Sequence, residues 1–165
     1  MRRPLILLGL LLVGTIGWAC GDKLMLVMGA RYGQLKPVHP AAILAFPGNS
    51  ASATLIRGLQ SQSVLKKAGM RFQVVEDNAG LDNALKTGKY DLVITDVTDA
   101  SGLTREVSTA ASKPLLLPVA FKATKLEQSE AQKKYHCLMK APGSAENYLD
   151  AIDHAMEWKL KGATR

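Results

Sequence analysis

Apolar and polar residues alternate in blocks along most of the chain, and these blocks predict a repeating order of strand and helix. The pattern predicts strands over residues 41–46, 71–75, 90–96, 115–121 and 136–139, and the apolar run at residues 41–46 is of the kind that forms a strand buried on both faces. Helical patterns occupy the stretches after them, at residues 54–68, 81–86, 103–111, 125–134 and 145–160. Short strands that alternate with helices indicate an α/β fold in which helices cover both faces of a parallel sheet.

Turn and cap residues set the boundaries of the first helix and interrupt one strand. Asn49, Ser50 and Ser52 precede the first helix and offer N-caps, and Gly69 predicts its end. We therefore expect that helix in one piece. Pro118 lies inside the fourth apolar run and lacks a backbone N–H, so it predicts a bend or a bulge in that strand.

The first twenty residues have the pattern of an export signal. Arg2 and Arg3 form a short basic region, and residues 5–13 are apolar except for one glycine. This run is shorter than the roughly 20 residues that a transmembrane helix needs. We therefore predict a periplasmic protein, with a signal peptide over residues 1–19, a spacer over residues 20–40 and one domain over residues 41–161.

The end of the predicted signal resembles the lipobox of bacterial lipoproteins. Residues 15–20 read Thr-Ile-Gly-Trp-Ala-Cys, and the resemblance implies that Cys20 is acylated and holds the protein on a membrane. The chain departs from the family pattern at Gly17, where Leu or a similar residue is usual, and at Trp18, where a small residue is usual. Ordinary signal peptidase would cut the same bond and leave Cys20 unmodified. An uncleaved anchor would place the domain on the same side of the membrane.

Composition and charge narrow the classes of partner. The chain has 165 residues, 47% of them hydrophobic, which suits one domain with a sizeable core and excludes a disordered chain. Aromatic residues make up 5%, too few for a protein that binds by base stacking, and we predict no nucleic-acid partner for an exported protein. The formal charge of +7 makes an anionic lipid surface or an acidic protein a more plausible partner than nucleic acid, but a solvated helix face is the preferred interpretation of the basic residues.

Three segments resemble the receiver domains of response regulators. Residues 90–96, Tyr-Asp-Leu-Val-Ile-Thr-Asp, resemble the third receiver strand, which typically reads Asp-Leu-Val-x-x-Asp. Residues 136–140 resemble the fifth strand, which ends in a functional lysine, and residues 147–152 resemble the start of the last helix. The resemblance spans residues 41–160 and implies a flavodoxin-like three-layer sandwich around a five-stranded parallel sheet.

Carried over to this chain, the resemblance puts Asp96 at the phosphoacceptor position and Lys140 at that of the lysine that contacts the phosphoryl group. Receivers also hold Mg²⁺ with two acidic residues after the first strand, where residues 46–49 read Phe-Pro-Gly-Asn. One carboxylate is a poor site for Mg²⁺, and without the ion the charge on a transferred phosphoryl group stays unneutralised. The fourth strand, residues 115–121, lacks the receiver Ser or Thr. We therefore expect a domain that has lost phosphotransfer, in which Asp96 caps the next helix, pairs with Lys140 or contacts a ligand.

The loop after the first predicted strand supports other functional hypotheses. Asn49 and Ser50 precede a helix, whose N–H groups could hold an anion as flavodoxins hold the flavin phosphate. The loop also half-matches the Gly-x-Ser-x-Gly of hydrolases, in which Ser50, Asp96 and either His136 or His154 would form a triad. The histidines lack the spacing of metal ligands, and we predict neither a metal nor a cofactor.

Two cysteines are too few for a disulfide scaffold or a four-cysteine zinc site. We expect Cys137, in the fifth predicted strand, to be a lone buried thiol. A disulfide between Cys20 and Cys137 is the alternative if Cys20 is not lipidated.

Together these features predict an exported, membrane-anchored, receiver-like domain with a non-catalytic binding or regulatory role toward a protein partner. Open α/β sheets bind ligands at the carboxyl ends of their strands, so the candidate contact residues are Asn49, Ser50, Asp96 and Lys140. The alternative is an anion-, nucleotide- or flavin-binding domain that uses the loop after the first strand. A phosphorelay receiver is the third possibility, and it requires a cytoplasmic domain and Mg²⁺ at Asp96.

Overall fold

A computed structural model describes residues 39–163, so the predictions for residues 1–38, Cys20 included, lie outside the described residues. Five parallel strands form one sheet in the order β2-β1-β3-β4-β5. Their bounds are β1 Ala42–Phe46, β2 Arg71–Val74, β3 Leu92–Asp96, β4 Leu115–Phe121 and β5 Met139–Ala141. The predicted α/β class and the five-stranded parallel sheet are therefore confirmed.

Six helices connect and follow the strands. They are α1 Ala53–Leu59, α2 Ser63–Lys67, α3 Asn78–Thr87, α4 Val97–Thr109, α5 Lys125–Lys134 and α6 Ala145–Ala163. Because every crossover joins parallel strands, each helix runs back toward the edge where the next strand begins. Helix N-termini and strand carboxyl ends therefore lie at one edge of the sheet, and helix C-termini lie at the other.

The two faces of the sheet have separate cores, as a three-layer sandwich requires. On one face, Ile43, Ile94 and Leu117 pack with Ile56 of α1, Leu65 of α2 and Ile152 of α6. On the other face, Leu44 and Val93 pack with residues of α3 and α4, and Ala120 packs with Ala131 of α5. The three central strands, β1, β3 and β4, are largely buried on both sides because both sides are covered, whereas the edge strands β2 and β5 expose Arg71, Gln73 and Lys140.

Several element bounds differ from the prediction, among them that of α3, which begins at Asn78 rather than at residue 81. The expected single helix over residues 54–68 is two helices, because the turn at Ser61 and Gln62 closes on the carbonyls of Gly58 and Leu59. Helix α4 begins at Val97, six residues before the predicted start, because Asp96 caps it. Strand β5 lies three residues after the predicted start at residue 136.

Pro118 sits inside β4 without the predicted bulge. The pairing of β3 with β4 runs without a skipped residue from Leu92 and Leu115 to Asp96 and Val119. Pairing of β4 with β5 begins only at Val119, so Pro118 precedes the stretch in which β4 has neighbours on both sides. The missing N–H therefore costs little here.

Within residues 39–163, the helices are all too short or too polar to cross a membrane.

Candidate functional site

Asp96 ends β3 and caps α4 at the carboxyl edge of the sheet. Asp96 is 4% exposed. The carboxylate oxygen Oδ1 accepts hydrogen bonds of 2.9 Å from both the backbone N–H and the hydroxyl of Thr98. One of the expected roles of Asp96, capping the next helix, is therefore confirmed. A carboxylate at this position also stabilises the positive end of the helix dipole.

The second carboxylate oxygen of Asp96 is held by Ser52. The Ser52 hydroxyl donates a hydrogen bond of 2.5 Å to Oδ2, and Ser52 is completely buried. Ser52 occupies the N-cap position of α1, but its side chain makes no capping bond to that helix. The prediction that the Ser52 side chain caps α1 is therefore wrong, because its hydroxyl donates to Asp96 instead.

Ser50 extends this network toward the surface. Its hydroxyl donates to the carbonyl oxygen of Pro47 over 2.9 Å, and its Oγ lies 3.2 Å from Oγ of Ser52. Ser50 is half-buried, whereas the neighbouring Asn49 is exposed. The structure therefore brings Ser50, Ser52 and Asp96 together and leaves Asn49 at the rim.

The charge of Asp96 is stabilised by its donors. Burial by itself would raise the pKa of this carboxyl, but the hydrogen bonds from Ser52 and Thr98 outweigh burial and hold the pKa below its ordinary value. Asp96 is therefore ionised at neutral pH, with both of its oxygens engaged. Such a carboxylate is an internal structural anion.

Asp99 is the second carboxyl group at this edge. It lies in the first turn of α4 and is partly exposed. Burial, and to a smaller extent the charge of Asp96, raises its pKa. A Cβ built on Gly48 would lie 2.8 Å from Asp99 Oδ2, so Asp99 packs directly against the loop that follows β1.

Lys140 does not join this group. Asp96 is in register with Val119, and Val119 is in register with Met139, so these three side chains share one face of the sheet. Lys140 is paired with Ala120 on the opposite face, and it is exposed. Within residues 39–163, no ion pair joins Asp96 to Lys140. The expectation that Asp96 pairs with Lys140 is therefore wrong.

The histidines lie away from Ser50 as well. His154 Nδ1 is 3.2 Å from the Cys137 sulfur, before the start of β5, and the ring of His136 stacks on Trp158 at 4.5 Å between centroids. These groups belong to the edge where the strands begin, opposite Ser50, so the structure assembles no triad of Ser50, Asp96 and a histidine. Within the described part of the chain, no three His, Cys, Asp or Glu side chains are grouped to hold a metal ion.

The Ser52–Asp96 contact was not predicted from the sequence. In the sequence, Ser52 is a candidate helix cap. It lies 44 positions before Asp96, and no motif connects the two residues. The alternation of side chains along β3 is the feature of the sequence that indicates this contact. Leu92, Ile94 and Asp96 share one face of β3, and that is the face that α1 covers.

Comparison with solved structures supports the assignment of the fold. No protein-family model matches the chain, and no curated protein matches it. Among solved structures, it is similar to the signal receiver domain of a modulated diguanylate cyclase from Desulfovibrio desulfuricans G20. The TM-score is 0.52 at 14% sequence identity, over 75% of this chain and 99% of that domain. The described domain therefore has the flavodoxin-like fold of a response-regulator receiver.

Proposed function

We propose that this protein is an exported, membrane-anchored, receiver-like domain with a non-catalytic binding or regulatory role, and that Asp96 does not accept a phosphoryl group. One observation carries the proposal. The Asp96 carboxylate is buried, and both of its oxygens already accept hydrogen bonds from Ser52 and Thr98. An attacking carboxylate oxygen would have to give up these donors and reach a phosphoryl donor from beneath the surface.

The surroundings of Asp96 also lack the partners that phosphotransfer needs. Phosphotransfer by receivers uses Mg²⁺, and this ion prefers six oxygen ligands that include carboxylates. The loop after β1, residues 46–49, contributes no carboxylate. On β5, the residue that shares the face of Asp96 at this edge is Ala141, whereas Lys140 faces the other way. These residues do not fit a magnesium-dependent acceptor site.

Export and anchoring are proposed from the N-terminal sequence. A short basic region, an apolar run over residues 5–13 and Cys20 follow one another in the order of a lipoprotein signal. A domain held outside the cytoplasm would be separated from the usual phosphodonors of receivers. The proposed location and the engaged carboxylate thus support the same conclusion about phosphotransfer.

Protein binding is the role that the carboxyl edge supports best. Asn49 is exposed in the loop after β1, and Asp99 beside it is partly exposed. The alternative, binding of a phosphate, nucleotide or flavin in this loop, is disfavoured by two features. The hydroxyls of Ser50 and Ser52 donate inward rather than to solvent, and the carboxylates of Asp96 and Asp99 would repel an anion.

Phosphorylation of the purified chain tests this proposal. The chain and its Asp96→Asn variant are incubated with acetyl phosphate and Mg²⁺, and their intact masses are measured alongside a phosphorylatable receiver domain treated in the same way. We expect the receiver to gain a phosphoryl group and this chain to gain none. A phosphoryl adduct on the wild-type chain that is absent from Asp96→Asn would overturn the proposal.

A further inference from the structure

We propose that the edge of the domain where the strands begin is a docking surface for anionic phospholipid headgroups. This inference rests on the proposed function, because it assumes a domain held at a membrane. The surface, here called the basic edge, is defined by six exposed cations that make no ion pair within residues 39–163. They are Lys66, Lys67, Arg71, Lys89, Lys113 and Lys133.

Topology places these six residues at one edge. Lys66 and Lys67 end α2, and Lys133 lies in the last turn of α5. Arg71 begins β2, Lys89 lies between α3 and β3, and Lys113 lies between α4 and β4. The strands from β2 to β5 span about 19 Å at roughly 4.8 Å per strand, so the cations extend across the width of the sheet.

Helix capping accounts for only part of this arrangement. Cations are favourable in the last turn of a helix, which explains Lys66, Lys67 and Lys133. Arg71, Lys89 and Lys113 lie outside the helices, at or just before the starts of β2, β3 and β4. A common anionic partner would contact all six cations of the basic edge.

A cleft at the centre of this edge concentrates the charge. It has a volume of about 440 Å³, and Arg71, Lys89, Asp91 and Lys159 are among the residues that line it. Asp91 is already engaged, because Lys159 Nζ donates to its Oδ1 and the Ala42 N–H donates to its Oδ2, both over 2.9 Å. The one carboxylate of this group is therefore neutralised, and the charges of Arg71 and Lys89 remain for a phosphate group.

The opposite edge of the domain is acidic. The carboxyl groups at strand ends and in the following helix starts are those of Glu76, Asp77, Asp96, Asp99, Glu127 and Glu146. Lys122, Lys125 and Lys140 are cations of this edge, and Arg57 pairs with Glu76 over 2.6 Å. A domain with this charge separation orients in the field of an anionic surface, with the basic edge toward the lipid.

The N-terminal segment joins the domain at the basic edge. Residues 1–38 lead to His39, whose backbone N–H and ring Nδ1 contact Asp153 of α6 at 3.0 and 2.9 Å, and β1 begins at Ala42. An anchor in this segment would therefore tether the domain from its basic edge. The connection of the chain and the charge of the surface select the same occupant, an anionic lipid bilayer.

Lysine reactivity on vesicles tests this surface. The full chain is bound to vesicles of phosphatidylcholine, with or without phosphatidylglycerol, and the rate of amine acetylation is measured at each lysine by mass spectrometry. We expect phosphatidylglycerol to slow acetylation several-fold at Lys66, Lys67, Lys89 and Lys113. It should leave the lysines of the acidic edge, Lys122, Lys125 and Lys140, unchanged. About 1 M salt, where the Debye length is about 3 Å, should remove the difference.

A pair of charge-reversal variants sharpens the test. K89E/K113E should abolish the lipid-dependent protection at Lys66 and Lys67. K122E/K125E, on the acidic edge, should retain it. The two variants are matched in backbone strain, because Lys113 and Lys122 both have positive φ, of 44° and 51°. Equal loss of protection in both variants would overturn the proposed surface.

Flotation of the same samples separates this inference from the proposed anchor. A chain that floats with vesicles of phosphatidylcholine alone, but shows no protection of the basic edge with phosphatidylglycerol, contradicts the docking surface and leaves the anchor standing. Protection with phosphatidylglycerol in a chain that does not float with phosphatidylcholine supports the docking surface and contradicts the anchor.

Discussion

The hydroxyl of Ser52 donates a hydrogen bond of 2.5 Å to Oδ2 of Asp96, across 44 positions of the chain. This bond ties the start of α1 to the end of β3 at the edge where receivers carry out their chemistry. Thr98 engages the other carboxylate oxygen from α4. Asp96 thus holds three elements together, and its role in stability can be measured separately from any role in signalling.

Replacement of Ser52 by alanine should destabilise the domain. Ser52→Ala leaves one oxygen of a buried carboxylate without its donor, which typically costs about 1–3 kcal/mol of unfolding free energy. Denaturant unfolding at neutral pH measures the loss. Ser61→Ala is the matched control, because the exposed Ser61 hydroxyl donates only to the carbonyl of Gly58, and it should change stability by less than about 0.5 kcal/mol. Equal effects of the two variants would contradict the role given to Ser52.

The contribution of Asp96 to stability should depend on pH. Its pKa is lower in the folded chain than in the unfolded chain, so the unfolded state binds the proton more readily as the pH falls. The stabilisation is therefore present at neutral pH and is lost as the pH falls through the folded-state pKa. Asp96→Asn, which lacks this titration, should be less stable than the wild type at pH 7. The difference should shrink below about pH 4. A difference that grows on acidification in urea unfolding would refute the assignment.

Gly48 should not tolerate alanine. Its φ is +55°, a conformation that costs an L-residue roughly 1–2 kcal/mol, and a Cβ there would meet Asp99 Oδ2 at 2.8 Å. Gly48→Ala should therefore lower the unfolding midpoint. Gly102→Ala provides the contrast, because Gly102 lies inside α4 with no atom within 4 Å of the added Cβ, and the change should stabilise by roughly 0.5–1 kcal/mol. A similar response of the two variants would show that the loop after β1 is not held as described.

Asp91 should be required for the attachment of α6 to the start of the sheet. Burial would raise its pKa, but the Ala42 N–H, Lys159 and the charge of Arg71 together lower it. Asp91→Ala removes the acceptor of both hydrogen bonds and should cost about 1–3 kcal/mol. Asp82→Ala breaks only the exposed Lys86 pair within α3 and should cost less than about 0.5 kcal/mol. The comparison is made by thermal unfolding, and a larger loss in Asp82→Ala would count against the assigned role.

Much of the fold could be predicted because it follows from local patterns. The α5 bounds, Lys125–Lys134, match the prediction, and Thr124 and Glu127 form a capping box that fixes the start of this helix. The predicted start of α4 is too late because the first two turns of this helix are mostly polar. A cap at Asp96 implies that the helix begins at Val97. The predicted β5 begins too early because Cys137 and Leu138 are apolar and buried, although they pack before the pairing with β4 begins.

The candidate site could be predicted only in part. Asp96 was identified from the pattern of its own strand, and its position at the carboxyl edge follows from the parallel sheet. Its partner Ser52 was not, because contacts between distant segments depend on how helices are seated on the sheet. Lys140 was assigned from the resemblance of residues 136–140 to the fifth receiver strand. The register of β5 with β4, which pairs Lys140 with Ala120, puts its side chain on the face opposite Asp96, and a short motif does not reveal this register.

The intact mass of the protein extracted from membranes of its native host tests the central claim most directly. The anchored, extracytoplasmic domain proposed here predicts a chain that has lost residues 1–19, carries acyl chains on Cys20 and bears no phosphoryl group. A full-length, unacylated chain in the soluble fraction, with a phosphoryl group on Asp96, would contradict both the location and the role assigned to that carboxylate.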